Sequence, residues 1–376
     1  MIQISDKKNC AGCTACRAVC HKNAITMRMD EKGFKYPQVD LEKCVNCGLC
    51  DKVCVFDKKP EAKRENHFAY AVKHKDKQIL KDSTSGGIFT AVSDYVLEND
   101  GVVYGATLDE NIVVRHIRAT TVEERNRMRG SKYVQSDMGD IFYRVKQDLA
   151  DKKLVLFTGT PCQVAGLRSY LGTKSEGLIC LDLICYGVPS PLIYKEHIAF
   201  LSKKYRSKIT DYKFRPKKWG WHIHRELVCG EKKTYHSTPY TDLWQNLYYS
   251  RIITRLSCNN CSYSNLNRVG DITIGDCRGI DKVKPGFGSY EGVTLAIVNT
   301  EIGKKIFGKI SDVITYEPLD IESVMQPPLR QCGKENTNSE KFFSIYQHFG
   351  YKKTISEFYG RLYPVKYYIK KLTKRI

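Results

Sequence analysis

The sequence predicts an α+β chain in two parts, a small N-terminal domain built on cysteine ligation and a larger mixed α/β domain behind it. Three observations carry this. A C-x2-C-x2-C-x3-C run occurs twice within the first 54 residues. The stretches 153–171 and 177–191 each pass from a continuous apolar run, through a turn, into a helix start. Between these regions, Lys58 to Asn66 (KKPEAKREN) is charged and poor in apolar residues, as a linker is. The expected units are residues 1–59, a linker at 60–66, a body at 67–345 and a basic C-terminal segment at 346–376.

The first run is Cys10, Cys13, Cys16 and Cys20; the second is Cys44, Cys47, Cys50 and Cys54. This is the bacterial ferredoxin spacing, in which the fourth cysteine of each run ligates the other cluster. The expected sets are therefore Cys10, Cys13, Cys16 and Cys54 for one 4Fe–4S cluster, and Cys20, Cys44, Cys47 and Cys50 for the second. Disulfides would need an oxidising compartment, and MIQISDKKNC lacks the pattern of a signal peptide. Zinc sites usually separate two C-x2-C pairs by a longer gap. The proline that often follows the fourth cysteine is replaced by His21 and Val55, which costs no ligand. Ala24–Met29 and Phe34–Val39 read as short strands around a turn at Asp30–Gly33.

No apolar run approaches the roughly 18 residues of a membrane span. A soluble, reducing, cytoplasmic setting is the expectation. The 61 basic and 41 acidic residues give a formal charge of +20. Such an excess attracts an acidic redox partner, a phosphorylated substrate, nucleic acid or an anionic membrane. No helix-turn-helix or RNA-binding signature is present, so nucleic acid is not expected.

The body opens with a strand in HFAYAVKHKD. Ser83, Thr84, Ser85, Gly86 and Gly87 then precede a helical pattern at Ile88–Glu98. Small residues opening a helix leave backbone N–H groups free for a phosphate, or make an ordinary capped start. Residues 101–109 and 111–119 alternate as a β-hairpin. In GSKYVQS, Lys132 and Tyr133 suit a cofactor ring or phosphate, or else a solvated lysine beside a half-buried tyrosine. Leu154–Phe157 reads as a buried strand, Thr158, Gly159 and Thr160 as the turn, and Pro161 as the first helical residue. Strand, tight turn and helix start together make an anion site. The same format at 177–191 leaves Cys185 on a loop, so Cys162 and Cys185 fall on one edge of a sheet.

FRPKKWGWHIHREL (214–227) mixes Arg215, Lys217 and Lys218 with Trp219 and Trp221. It fits a flat anionic ligand or a strand with a basic outer face. His222 and His224 read as ordinary surface or core histidines. Cys258 and Cys261 form a C-x2-C pair that, with Cys162 and Cys185, could complete a third four-thiolate site; Cys277 is the rival ligand. Cys180, Cys229 and Cys332 read as plain thiols. From Tyr346 onward the chain interleaves aromatic and aliphatic residues with Lys and Arg. That suits a helix packed on the protein with a basic outer face, or a peripheral membrane contact.

STSGG, SKYVQS, TGTPCQVAGL, ICYGVPS, the C-x2-C pair and DITIGD, in that order behind the ferredoxin repeat, resemble the coenzyme F420 hydrogenase/dehydrogenase beta-subunit family. Its relatives include archaeal flavoproteins acting on a deazaflavin coenzyme, a plant reductase of a chlorophyll hydroxymethyl group, and bacterial proteins encoded with polysaccharide genes. The resemblance implies that the body is a flavin-binding domain holding FAD, with a third 4Fe–4S cluster beside it. Flavin roles would fall to Ser83–Gly87, Ser131, Lys132, Tyr133 and Thr158–Thr160, and cluster roles to Cys162, Cys185, Cys258 and Cys261. Cys277 and Arg278 stand where many relatives have an aromatic pair.

The implied activity is an iron–sulfur flavin-dependent oxidoreductase that relays electrons between clusters and FAD and acts on a two-electron, small-molecule substrate, with polysaccharide biosynthesis as one setting. The alternatives are oxidation of a reduced deazaflavin with output through the clusters, and an electron-transfer component of a larger complex without its own substrate. Expected partners are an acidic carrier such as ferredoxin or flavodoxin and, in an oligomer, further copies of the chain.

Overall fold

The computed structural model describes residues 1–56, 68–221, 225–238 and 241–360. The expected linker, His222, His224 and the segment after Gly360 lie outside the described residues. In the N-terminal part, helices α1 (Ala15–Val19) and α2 (Leu49–Lys52) follow the cysteine loops, and strands β1 (Ile25–Met29) and β2 (Lys35–Val39) pair antiparallel between them. Each helix starts from a left-handed residue, Thr14 and Gly48, both at φ 72°. The positive φ turns each cysteine loop sharply into its helix.

The body continues with β3 (Phe68–His74), α3 (Lys77–Asp82), α4 (Ile88–Glu98), β4 (Val102–Leu108), β5 (Val114–Ala119), α5 (Val122–Asn126), α6 (Ile141–Ala150), β6 (Val155–Gly159), α7 (Pro161–Leu171), β7 (Leu178–Leu183) and α8 (Pro191–Tyr205). After these come β8 (Ile209–Lys213), β9 (Leu227–Gly230), β10 (Thr234–His236), α9 (Leu243–Ser250), β11 (Ile272–Asp276), α10 (Ile280–Val283), β12 (Thr294–Val298), α11 (Glu301–Lys309), β13 (Ile314–Leu319) and α12 (Ser339–Tyr359). The main sheet has eight strands in the order β13-β3-β12-β11-β7-β6-β4-β5. Its centre, β4, β6, β7 and β11, is parallel, and its outer strands are antiparallel. The parallel centre explains the unbroken apolar runs at β6 and β7, since both of their faces are covered.

Helices α4 and α11 cover one face, packing Ile88, Val92, Val96, Ile306 and Phe307 onto Leu156, Ile179 and Ile272. Helices α6 and α7 cover the other, with Phe142, Val145, Val164 and Leu167 on Tyr104, Phe157 and Leu178. Ala15 and Ala18 of α1 belong to this second core. The cysteine domain is therefore packed into the body and not strung beside it.

A smaller sheet, β10-β9-β8, packs with α8, α9 and α12 around Trp244, Tyr194, Phe342 and Phe343. Two expectations change here. Residues 214–221 do not form a strand: Pro216 precedes a single 3-10 turn at Lys217–Trp219, and Gly220 turns the chain at φ 103°. Residues 346–359 are no separate tail. They form most of α12, kinked at Gly350, and they bury Tyr351, Thr354 and Ile355, with the Tyr351 hydroxyl 2.8 Å from His197 Nδ1. Among the described residues no helix is long and apolar enough to cross a membrane.

Close packing of α11 on the sheet depends on Gly303, where an added Cβ would lie 2.2 Å from the Asp271 carbonyl oxygen. Overpacking of this kind costs about 1–3 kcal/mol. Gly303→Ala is expected to lower the thermal melting point while leaving iron content per folded chain unchanged, as read by calorimetry and iron assay.

Candidate functional site

The eight N-terminal cysteines line two separate cavities. One is lined by Cys20, Cys44, Cys47 and Cys50. The other is lined by Cys10, Cys13, Cys16 and Cys54. The crosswise grouping expected from the spacing is thus the grouping in space. Backbone N–H groups already aim at the sulfurs: Ile2 N donates to Cys50 Sγ at 3.2 Å and Ala24 N to Cys20 Sγ at 3.3 Å. Cys47 is exposed, whereas Cys13 is buried, and burial pushes its thiol up to about 12.

The inner of these two cysteine sets faces the body. Gly166 on α7 leaves room for it, since a Cβ there would sit 2.8 Å from Cys13 Sγ. The hairpin turn also docks: Ser190 Oγ donates to Lys32 O at 2.6 Å, and a Cβ on Gly33 would meet Leu192 Cβ at 2.2 Å. Arg255 is fully buried at this seam. Its Nε donates to Cys10 O at 2.8 Å, its Nη2 to Lys35 O at 3.0 Å, and its Nη1 to Gln135 Oε1 at 3.0 Å. The guanidinium lies 4.3 Å from the Tyr36 ring centroid.

A third cysteine group assembles at the ends of β6 and β7. Cys162 sits in the first turn of α7, and Cys185 follows β7. Residues 188–190 run antiparallel to 253–255, with Arg255 N donating to Val188 O at 3.0 Å and Ser190 N to Ile253 O at 2.9 Å. This brings Cys258 and Cys261 to Cys162 and Cys185. The four feel one another electrostatically. Burial, then the neighbouring thiols, raise Cys162 strongly and push Cys185 up to about 12; burial first pushes Cys258 up to about 11. Four thiolates can share so dry a place only with positive charge among them, as a metal cluster supplies. Among the described residues no three His, Cys, Asp or Glu side chains are gathered as a single metal ion would need. Cys277 takes no part: it is fully buried in another core with Ala71, Val293 and Leu295.

Tyr263 separates the inner N-terminal set from the third group. It is buried with Val55 and Ala165, against Cys13, Cys162 and Cys261, and its hydroxyl donates to Val55 O at 3.2 Å. Arg268 holds the 263–268 loop through Tyr263 O, at 2.7 Å, and Leu183 O, at 2.8 Å.

Beyond the third group lies a cavity of about 290 Å³, walled in part by Cys162 and Cys185. Ser83, Thr84, Ser85, Gly87, Ser131, Lys132, Tyr133, Thr158, Gly159 and Thr160 also line it, so the sequence motifs converge. Gly86 lies just behind, where a Cβ would be 1.9 Å from Val72 O. Several polar side chains expected to face a ligand are used to build the wall instead. Lys132 Nζ donates to the carbonyls of Arg127, Met128 and Arg129 at 3.1, 2.7 and 2.8 Å, and burial pushes it down to about 7. Lys217 Nζ donates to Leu80 O and Ser85 O, both at 2.6 Å. Arg215 makes a two-pronged pair with Asp276. Thr158 and Gly159 end β6 and do not form a turn. The Thr160 N–H is taken by Gln163 Oε1 at 2.9 Å.

The sequence reading missed Arg255, Tyr263, Gly166 and His116. His116 lines the cavity; its Nε2 is 2.9 Å from Thr158 O, and its buried Nδ1 has no hydrogen-bond partner. Only the alternation of β5 pointed to a buried position there.

Residues 9–58 match the 4Fe-4S dicluster domain family, so the chain is an iron–sulfur protein. Residues 69–142 match the family of the N-terminal part of the coenzyme F420 hydrogenase/dehydrogenase beta subunit, and residues 152–322 match the family of its C-terminal part. The beta subunit of the coenzyme F420 hydrogenase of Methanococcus voltae is 32% identical over 269 residues, 68% of this chain and 85% of that protein. The F-type subunit of the F(420)H(2) dehydrogenase of Methanosarcina mazei is 24% identical over 379 residues, covering 92% of this chain and 95% of that one. A chain of the F420-reducing NiFe hydrogenase complex from Methanosarcina barkeri aligns with 77% of this chain and 91% of its own length, at 20% identity and a TM-score of 0.46. The chain belongs to the coenzyme F420 hydrogenase/dehydrogenase beta-subunit family.

Burial holds His116 neutral, with its pKa lowered to about 4. The unfolded chain takes up that proton near pH 6.5, so the folded state loses stability as pH falls from about 6.5 towards 4. Between pH 7 and 5 this one group costs about 2 kcal/mol. His116→Gln is expected to flatten that part of the pH dependence in urea-unfolding curves.

Proposed function

We propose that the chain is the electron-relay subunit of an oxidoreductase complex. In this reading it takes hydride from a reduced deazaflavin coenzyme into its cavity and passes single electrons out through its cluster chain. The supporting observation is one of order in space. The outer cysteine set with exposed Cys47, the inner set, Tyr263, the third cysteine group and the large cavity follow one another through the molecule. The names of the archaeal relatives, one from a dehydrogenase and one from a hydrogenase, favour this over a reductase of polysaccharide precursors.

FAD is the cofactor we assign to the cavity, and Cys162, Cys185, Cys258 and Cys261 are the ligands we assign to a third 4Fe–4S cluster. A bound flavin supplies the exchange between a hydride and two single electrons. The chain's own residues fit that group. The cavity is walled by the Ser83–Gly87 loop, where α4 begins at Gly87 without a side-chain cap, and by Tyr133, stacked on Tyr248 at 4.7 Å. Uncapped N–H groups at a helix start suit a pyrophosphate, and an aromatic pair suits a flat ring. Lys132 and Lys217 fix the carbonyls of the rim loops, so the wall is rigid before a ligand arrives. The outer set, with Cys47 at the surface, faces the partner protein. An acidic carrier fits the chain's positive excess there.

Anaerobically purified protein is expected to hold about 12 iron atoms and one FAD per chain. Cys162→Ser is expected to lower iron to about 8, and Gly86→Ala to release flavin while iron stays. Metal analysis and flavin absorbance check each count. Full iron content without any flavin would sink the assignment of the cavity. Hydride uptake from the reduced deazaflavin, followed by bleaching of the cluster absorbance, separates this direction from the reverse one.

A further inference from the structure

Arg255 presents a problem in electrostatics. It is fully buried, and among the described residues no carboxylate pairs with it. Its partners are two backbone carbonyls, the Gln135 amide oxygen and, at 3.7 Å from Nη2, the Cys10 sulfur. A buried cation without an anion is strongly unfavourable. The negative charge that answers it is the thiolate set of Cys10, Cys13, Cys16 and Cys54. Gly12, on the same loop, brings its backbone against the guanidinium, and a Cβ there would be 3.0 Å from Cζ.

The same residue organises the third group through its main chain. Arg255 N donates to Val188 O, and Arg255 O accepts from Cys258 N, both at 3.0 Å. One residue thus grips the inner set with its side chain and begins the turn that carries Cys258. Gln135 completes the grip, since its Nε2 donates to Ala11 O at 3.0 Å while its Oε1 takes Arg255 Nη1.

We propose that Arg255 is a positioning residue for electron transfer between the inner N-terminal cluster and the third cysteine group. Its buried charge raises the potential of the inner cluster relative to the outer one, and its fork fixes the distance across which the electron passes. When the inner cluster takes up one electron, its donor, the neighbouring cluster or in the test dithionite, loses one, and no proton moves. The added unit of negative charge is stabilised by a cation that cannot rearrange away. This rests on the relay reading for the third cysteine group. The effect on the inner cluster needs only the ferredoxin-type pair.

The test is an EPR-monitored redox titration of the full-length, cluster-loaded protein, comparing wild type with Arg255→Met and Arg255→Lys. Cys47→Ser, which removes an outer-set ligand, identifies which midpoint is which. Arg255→Met is expected to shift the inner midpoint to lower potential and leave the outer one in place. Arg255→Lys, which keeps charge but not the fork, is expected to recover most of the midpoint. It is nevertheless expected to slow rapid-freeze transfer to the third group. An inner midpoint unchanged in a fully iron-loaded Met variant, or equal shifts of both midpoints, would overturn the proposal. If the Met variant loses iron, the Lys variant alone decides: wild-type transfer rates together with a wild-type midpoint overturn it. Absence of a third cluster signal in wild type defeats the relay reading instead, and it leaves the inner midpoint comparison intact.

Discussion

Everything in this molecule depends on a dry seam between a cysteine-rich domain and an α/β body. Electron carriers must lie close together, and the thiolates that hold them repel one another. Water would ease that repulsion but would widen the gaps and expose the clusters. The protein excludes water and places Arg255, Tyr263 and shared helix packing in the seam. The guanidinium is held by fixed carbonyls and an amide, so its charge stays in place when the electron count changes. The absence of side-chain bulk at Gly166 is as necessary as the presence of charge at Arg255.

The body shows how an α/β sheet delivers distant cysteines to one point. Parallel neighbours β6 and β7 end on the same edge, which fixes Cys162 and Cys185. The returning 253–255 segment pairs with 188–190 and brings Cys258 and Cys261 from roughly a hundred residues further along the chain. The cavity then uses that same edge, where ligands gather in open α/β folds. Its basic residues act mainly as struts. Lys132 and Lys217 spend their hydrogen bonds on carbonyls of the rim, and Arg215 spends its own on Asp276.

Much of this was legible in the sequence because the chemistry has fixed spacings. Ferredoxin-type cysteine runs, apolar runs of parallel strands and proline at a helix start are local signals, and they placed the eight cysteines, β6, β7, α4 and α7. What was not legible was set by contacts between distant residues. Arg255 in RLSC reads like any surface arginine until Cys10 and Lys35 are brought to it. Tyr263 has no pattern of its own. Residues 214–221 carried strand-like residue types, but Pro216 and Gly220 broke the run. The amphipathic stretch after Tyr346 could face lipid or protein, and only the neighbouring α8 decided for protein as far as Tyr359. Cys277 and Cys261 looked alike as candidate ligands. The fold sent one into an apolar core and the other to the shared site.

The placement of Ala15 and Ala18 in the same core as α6 and α7 has a consequence for the protein's life history. A cluster-bearing module on a flexible tether could be made, damaged and repaired while its neighbour stayed intact. Here the helix between Cys13 and Cys20 is also a packing element of the body, and ligand binding is coupled to folding. A chain deprived of iron, or stripped of it by oxygen, loses part of its structural core along with its wire. Damage is thereby converted into local unfolding, which proteases recognise. The shared core makes cofactor loading a checkpoint on the survival of the whole chain.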